Sequence, residues 1–195
     1  MGKLYFLIGD YVKKRRKLRA KYQIDQDKTV LLHVGSIKRS RNLRLLVELQ
    51  KKLNVQSVVI GSESIPMERD LMEELVEAGC IVLRSYLPNI EEIYALSDYY
   101  IFPTISEPDA IEMPLSVMEA MSCNLPVIST RFRGLPRIFK EGDGFFYASN
   151  ENDFLRILQA TMKTALTVKT REKVLNYSWG KVASKLEDMY QELLQ

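Results

Sequence analysis

Residues 29–61 read TVLLHVGSIKRSRNLRLLVELQKKLNVQSVVIG, and this stretch contains every part of one β-α-β unit. Thr29–Val34 and residues 57–60 are continuous apolar runs, each closed by a glycine, Gly35 and Gly61. A half-buried strand alternates apolar with polar. An unbroken run fits a parallel strand covered on both faces. Between the two runs, Leu45, Leu46, Leu49 and Leu53 recur at helical spacing and share one face. Two parallel strands joined through a helix make a right-handed crossover.

The same pattern continues along the chain. Residues 80–83, Tyr99–Phe102, residues 126–129 and, more weakly, residues 144–147 are further β-type runs. Leu71, Leu75 and Val76 mark one intervening helix face, and Ile93, Tyr94 and Leu96 lie in another. Six strands separated by helices predict an α/β fold: a doubly wound, parallel, six-stranded Rossmann-like sheet with helices on both faces. Val182, Leu186, Met189, Tyr190 and Leu193 form a closing stripe at helix spacing, which predicts a long packed helix at the end. The expected division is a linker and basic helix over residues 1–28 and one domain over residues 29–195.

Composition narrows the class. At 195 residues, 46% hydrophobic and 27% charged, the chain has the balance of a globular domain with a sizeable core. Its net charge of +3 is unevenly placed, because Lys13, Lys14, Arg15, Arg16, Lys17, Arg19 and Lys21 fall within nine residues. Two cysteines, Cys80 and Cys123, are too few for a disulfide framework and suggest a reducing compartment. No apolar run approaches the ~20 residues that cross a bilayer, and residues 4–8 are too short for a signal-peptide core. The expected location is cytoplasmic, with peripheral contact at the inner membrane face as an extension.

In such sheets, ligands bind beyond the carboxyl ends of the strands, and the chemistry-bearing residues gather there. After the first strand comes Gly35-Ser36-Ile37-Lys38-Arg39-Ser40-Arg41-Asn42, three cations directly before a helix start. Cations together with the free N–H groups of a helix N-terminus suit phosphate or pyrophosphate. A solvated basic loop is the alternative. After the fourth strand, Glu107, Asp109 and Glu112 precede Pro114, which suits a first helical position. Glu119 lies a little over one turn further on, where a carboxylate can accept hydrogen bonds from the vicinal hydroxyls of a ribose. Its neighbours Val117, Met118, Ala120 and Met121 are apolar, which speaks against full exposure.

The segment Met113-Pro-Leu-Ser-Val-Met-Glu119-Ala-Met-Ser-Cys-Asn-Leu-Pro126-Val-Ile-Ser-Thr130 resembles the hallmark of retaining GT-B glycosyltransferases of the glycogen-synthase and mannosyltransferase type, family 4. The HVGS strand end, VVIGSES, SYLPNIEEIYALSDYYIFPT and the final YSWGKVASKLEDMYQELL fall into the same register, so the resemblance spans about residues 28–194. It implies the donor-binding half of a GT-B fold, moving a hexose from a UDP- or GDP-sugar to an acceptor hydroxyl. It also implies that Glu119 holds the nucleotide ribose, that Ser36 and Arg41 occupy the phosphate-binding pair, and that Gly35 and Gly61 lie at the nucleotide. Tyr86, Leu87 and Pro88 would bracket the base, and the backbone of Leu115 and Ser116 would face the diphosphate.

Two positions depart from the pattern. The first motif glutamate falls on Ile111, so Glu112 is the candidate catalytic substitute beside Arg41, with Glu107 and Asp109 behind it. Ser36 replaces a cation, which Arg39 or Lys38 could supply. The resemblance further implies an acceptor-binding domain, absent from this chain or supplied by another, with residues 5–11 at the interdomain linker. It follows that Tyr5, Phe6, Leu7 and Ile8, with the tail around Tyr190 and Leu194, would form an exposed apolar patch. An excised domain, a natural half-enzyme and a non-catalytic nucleotide- or partner-binding module all remain open.

Other classes are disfavoured. His33 is the lone histidine, lies inside a strand, and reads as a core residue. With no CxxC pair, a metal site is not expected. Neither a GxGxxG fingerprint nor a P-loop is present, so no NAD or other cofactor is expected beyond the donor itself. The basic cluster has no interleaved aromatics and matches no nucleic-acid module, so it reads as a solvated helix, with anionic membrane contact second and nucleic acid excluded.

Overall fold

A computed structural model describes residues 8–64, 66–105 and 111–194, with side chains from residue 13 onward. Helix α1 (Ile8–Lys21) leads into strand β1 (Thr29–Val34), α2 (Arg44–Lys52) and β2 (Val55–Gly61). Then follow α3 (Arg69–Glu77), β3 (Ile81–Arg84), α4 (Ile90–Leu96) and β4 (Tyr99–Phe102). The second half comprises α5 (Leu115–Ser122), β5 (Val127–Ser129), α6 (Leu135–Ile138), β6 (Phe145–Tyr147), α7 (Glu151–Thr161), α8 (Thr170–Val174) and α9 (Trp179–Leu193).

The six strands form one sheet in the order β3-β2-β1-β4-β5-β6, and every neighbouring pair is parallel. The expected doubly wound sheet is therefore present. Each strand's apolar run divides between two cores, one per face. Val30 and Leu32 point into one with Tyr100, Phe102 and Val117. Leu31 points into the other with Leu46, Val59 and Phe154. This two-sided burial is the reason the strands read as unbroken apolar runs.

The chain leaves β1 toward β2 on one side and returns to β4 on the other, so the strand order reverses between β1 and β4. A crevice opens at such a switch point because adjacent connections run to opposite faces.

Helix α1 is anchored by charge. Arg19 is 4% exposed, and its guanidinium donates to the carbonyls of Leu96, Gln26 and Lys28 at 3.0–3.1 Å and to Asp98 Oδ2 at 2.6 Å. Arg15 pairs with the other oxygen of Asp98, and Lys14 with Glu92. Asp98 also accepts the N–H of Val30 at 2.7 Å, which ties α1 to the foot of β1. Leu18 and Ile24 complete the attachment in the core. Lys13, Arg16, Lys17 and Lys21 are exposed, and their spacing places them along the opposite face of the helix. The basic cluster is thus solvated on one face only.

Three expectations need correction. Val76 does not share the buried face of α3; it is 53% exposed, and Leu71 and Leu75 alone are buried in that helix. Leu53 caps α2 in an extended conformation and is only partly buried. The closing helix forms as expected but is not packed, since α9 has no buried residue. Its stripe, from Val182 to Leu193, faces solvent together with Trp179 and Leu194. Periodicity shows that a helix has an apolar face, but burial needs a second surface, and no described residue of the domain covers this one. Residues 5–7, placed in the same patch, lie outside the described residues.

Candidate functional site

A cleft of about 450 Å³ opens at the carboxyl ends of β1, β2 and β3. Its walls are Val34, Gly35, Ser36 and Arg41 on one side and Ile60, Gly61, Ser62, Glu63 and Ser64 on the floor and rim. Ser85, Tyr86, Leu87 and Ile90 close it. Both strand-ending glycines have a steric reason. A Cβ on Gly61 would lie 2.8 Å from Ile37 Cδ1, and one on Gly35 would lie 3.0 Å from His33 Nε2. The chain can therefore turn close to the strand ends and leave space above them.

The first loop makes a single 3-10 turn, Arg39–Arg41, that ends at Asn42 in the left-handed conformation, φ 55°. Asn42 Nδ2 donates to the carbonyl of Pro103 at 3.4 Å, which ties the loop to the end of β4. The turn sends its two arginines in different directions. Arg41 lines the cleft, and its Nε donates to Ser36 Oγ at 3.2 Å; Ser36 itself is 5% exposed. Arg39 points instead to α3, where its guanidinium donates to Glu68 at 2.7 Å and to Asp70. It is not among the lining residues. Of the described residues that line the cleft, Arg41 is the cation.

Helix α5 contributes no residue to the lining of this cleft. Pro114 is its N-cap, one position earlier than the sequence suggested, and Leu115 and Ser116 form the first turn. Early N–H groups of a helix point out of its end and carry partial positive charge. Glu119 is exposed rather than sheltered, against expectation. Its apolar neighbours Val117, Ala120 and Met121 are buried on the other side of the helix. The carboxylate is nonetheless fixed, because Tyr94 Oη donates to its Oε2 at 2.7 Å. Tyr100, adjacent to Tyr94 with ring centroids 6.0 Å apart, donates its hydroxyl to the carbonyl of Val34 at 3.2 Å. These two tyrosines link α5 to the wall of the cleft. In the sequence they read as apolar members of a helix and a strand, which hid their hydroxyls; an aromatic with a polar tip near a strand end was the available signal.

His33 is a core residue as expected. It is fully buried, and its Nδ1 is 3.0 Å from the carbonyl oxygen of Ile101. Burial, with a smaller contribution from the Arg41 charge, pushes it down to about 4 despite that hydrogen bond. The imidazole is therefore neutral, Nδ1 donates to the carbonyl, and Nε2 is an acceptor beneath Gly35. Glu112 stands apart from the cleft walls. It is exposed, with its carboxylate 3.8 Å from the Arg133 guanidinium and its carbonyl accepting from the N–H of Gly134 at 3.3 Å. Ile111 beside it is exposed as well. Glu107 and Asp109 lie outside the described residues. Among the described residues, no three His, Cys, Asp or Glu side chains converge as metal ligands.

The structure thus brings Gly35, Ser36, Arg41, Gly61 and Leu87 into one cleft. Leu115, Ser116 and Glu119 do not line it; Tyr94 touches Ser116 and Glu119 and packs against Tyr100, which reaches the Val34 carbonyl in the cleft wall, while Arg39 and Glu112 engage other partners.

Comparison with known proteins agrees with this architecture. The family profile described as "Glycosyl transferases group 1" matches residues 14–178. The sulfoquinovosyl transferase SQD2 of Arabidopsis thaliana is 28% identical over 176 residues, covering 84% of this chain and 33% of its own. A glycogen synthase of Lactococcus lactis is 30% identical over 187 residues, covering 82% of this chain and 38% of its own. Among solved structures, Anabaena Alr3699/HepE in complex with UDP and glucose superposes with a TM-score of 0.74 at 16% identity, covering 94% of this chain and 52% of that one. The chain spans between a third and about half of these relatives' length.

Proposed function

The chain belongs to the group 1 glycosyl transferases, and on that premise we propose that it is the donor-binding half of a hexosyltransferase, holding a UDP- or GDP-sugar for an acceptor domain. The observation that carries this reading is the cleft at the carboxyl ends of β1, β2 and β3, with Arg41 braced in its wall by Ser36. A protein of similar fold has been solved in complex with UDP and glucose, which supports a nucleotide sugar as the occupant.

Negative charge grows on the departing diphosphate as the glycosidic bond breaks. A preorganised guanidinium and helix N–H groups stabilise such charge without reorganising during the reaction. Arg41 supplies the first, and the start of α5 at Leu115 and Ser116 the second. Glu119 takes the ribose hydroxyls, Tyr86 and Leu87 flank the base, and Glu112 is assigned to the sugar side although it does not line the cleft. The acceptor hydroxyl must be held against the anomeric carbon, and positioning of that kind lowers a barrier by ~7–11 kcal/mol. That task falls to an acceptor domain, whether in the same polypeptide or another.

A non-catalytic module is the second reading, favoured by two observations: Arg39 is taken up by Glu68 and Asp70, and Ser36 stands where a cation was expected. One experiment separates the two. UDP and GDP should each be tested for stabilisation of the chain, and transfer from the matching sugar should be measured with and without an added acceptor domain. Nucleotide binding with transfer only in the presence of that domain supports the first reading. Binding without transfer in both arms supports the second, and no binding sinks both.

No helix among the described residues is long and apolar enough to cross a membrane. Peripheral contact through the exposed cations of α1 forms part of the proposal, because those cations face an anionic surface without disturbing the buried anchor.

A further inference from the structure

The contact between Tyr94 and Glu119 points to a role for a residue outside the cleft wall. Tyr94 is 1% exposed and sits on α4, while Glu119 reaches solvent from α5. A phenol has one proton. Tyr94 Oη lies 2.7 Å from Glu119 Oε2 and 3.4 Å from the Ser116 carbonyl, so the shorter, charge-assisted bond takes it. Burial foremost, then the neighbouring Tyr100 and Glu119, holds the Tyr94 hydroxyl far above the ordinary phenol range. It stays protonated at every pH at which the protein is folded. The ring cannot swing away, because it is packed in the core against Tyr100.

An exposed glutamate has three rotatable bonds and would lose that freedom on engaging a ligand. Here the loss has already occurred on folding. The bond from below fixes the carboxylate and leaves its outward lone pairs in a set direction. This matters most to a partner with two donors at fixed spacing, such as the cis-diol of a ribose. A single flexible donor would gain little.

We propose that Tyr94 is a positioning residue that presets the Glu119 carboxylate for the ribose hydroxyls of the nucleotide. The proposal rests on the reading of Glu119 as the ribose ligand. It predicts coupling between one buried hydroxyl and the hydroxyls of the ligand, which a general packing role for Tyr94 does not.

The test is calorimetric titration of the folded chain with the ribonucleoside diphosphate it binds (UDP or GDP) and with the 2′,3′-dideoxy form. Three variants complete the set: Tyr94→Phe, Glu119→Ala and Tyr100→Phe. Wild type should favour the ribonucleotide by about tenfold or more, the scale of a hydrogen bond to a charged group. Tyr94→Phe keeps the ring and strands no buried partner, since Glu119 is solvated. It should weaken the ribonucleotide about fivefold to tenfold, leave the dideoxy form unchanged, and so erase most of the preference. Tyr100→Phe, which removes the bond to Val34 instead, should keep the preference.

Equal losses for both ligands in Tyr94→Phe would make its role structural and overturn the proposal. So would a preference retained in full. If wild type shows no preference, or Glu119→Ala leaves it intact, the ribose assignment fails first. A preference abolished by Glu119→Ala yet untouched by Tyr94→Phe overturns the positioning role alone.

Discussion

Replacing Arg41 by alanine should separate the diphosphate from the rest of the ligand. The side chain lines the cleft, with its Nε bonded to the buried Ser36 hydroxyl at 3.2 Å. That bond orients the planar fork, and a guanidinium has five N–H donors, enough to bind two phosphate oxygens at once. A hydrogen bond to a charged group contributes ~1.5–3 kcal/mol. One bidentate contact from a half-exposed site, discounted for screening, should then contribute about 3 kcal/mol, or roughly 100-fold in Kd. Arg39 is already bonded to Glu68 and Asp70 and cannot take over without breaking both contacts. Arg41→Lys keeps the charge but loses the fork, and should fall between wild type and alanine, near tenfold. Titration with UDP, GDP and the bare nucleosides, at low and high salt, reads all of this. The diphosphates should lose affinity and the nucleosides should not, and the loss should shrink as salt rises. Equal losses for nucleoside and diphosphate would refute the phosphate assignment and indicate a disturbed loop.

Further outcomes test the supporting structure. Arg19→Met removes the buried guanidinium, strands three carbonyls and half-releases Asp98, so it should lower unfolding free energy by about 3 kcal/mol in urea melts. His33 is held near pKa 4 in the folded chain against about 6.5 unfolded, so the unfolded state binds the extra proton first as pH falls. Stability should therefore be complete above about pH 6.5 and decline by about 3 kcal/mol toward pH 4, and His33→Asn should flatten that part of the profile. Reversing Lys13, Arg16, Lys17 and Lys21 to glutamate should abolish cosedimentation with phosphatidylserine vesicles. Each cation contributes ~1 kcal/mol near such a surface, and binding should fade in high salt; equal binding by the reversed variant would remove membrane contact from the proposal.

The sheet was legible because parallel strands are buried on both faces, a condition local sequence records directly. Every one of the six apolar runs is a strand; β1 and β4 keep the expected bounds and the others shift by one or two residues, as where β3 starts at Ile81 and not Cys80. The packing of α9 was not legible. Its stripe is as regular as that of α2, yet α2 has β2 beneath it and α9 has no described surface beneath it. Local periodicity cannot distinguish those cases, because the partner is remote in sequence. The same limit applies to the loop after β1. Three cations in four residues look equivalent in sequence. The choice between Arg39 and Arg41 is made by Glu68 and Asp70, about thirty residues away, which draw Arg39 outward through the turn.

The contacts that fix the site begin at the opposite end of the sheet. Asp98 accepts from Val30 N–H at the foot of β1, while Arg19 joins Asp98 to the Leu96 carbonyl where α4 ends. That clamp sets α4 relative to β1. Tyr94, two residues back from Leu96 on α4, is then held at a definite height, and β4 carries Tyr100 to the carbonyl of Val34, where β1 becomes the cleft wall. From Tyr94 one hydrogen bond reaches Glu119. The placement of the exposed carboxylate thus follows from a partly buried ion pair and the buried Tyr94 phenol, neither of which lines the cleft. On the proposed reading a nucleotide-binding domain gains from this arrangement, because solvated polar groups hold position best when bonded from behind. Loosening the foot should then degrade the head: destabilising α4 through Arg19 should weaken nucleotide binding through Glu119 before it unfolds the sheet, since Tyr94 rides on the helix that the clamp positions.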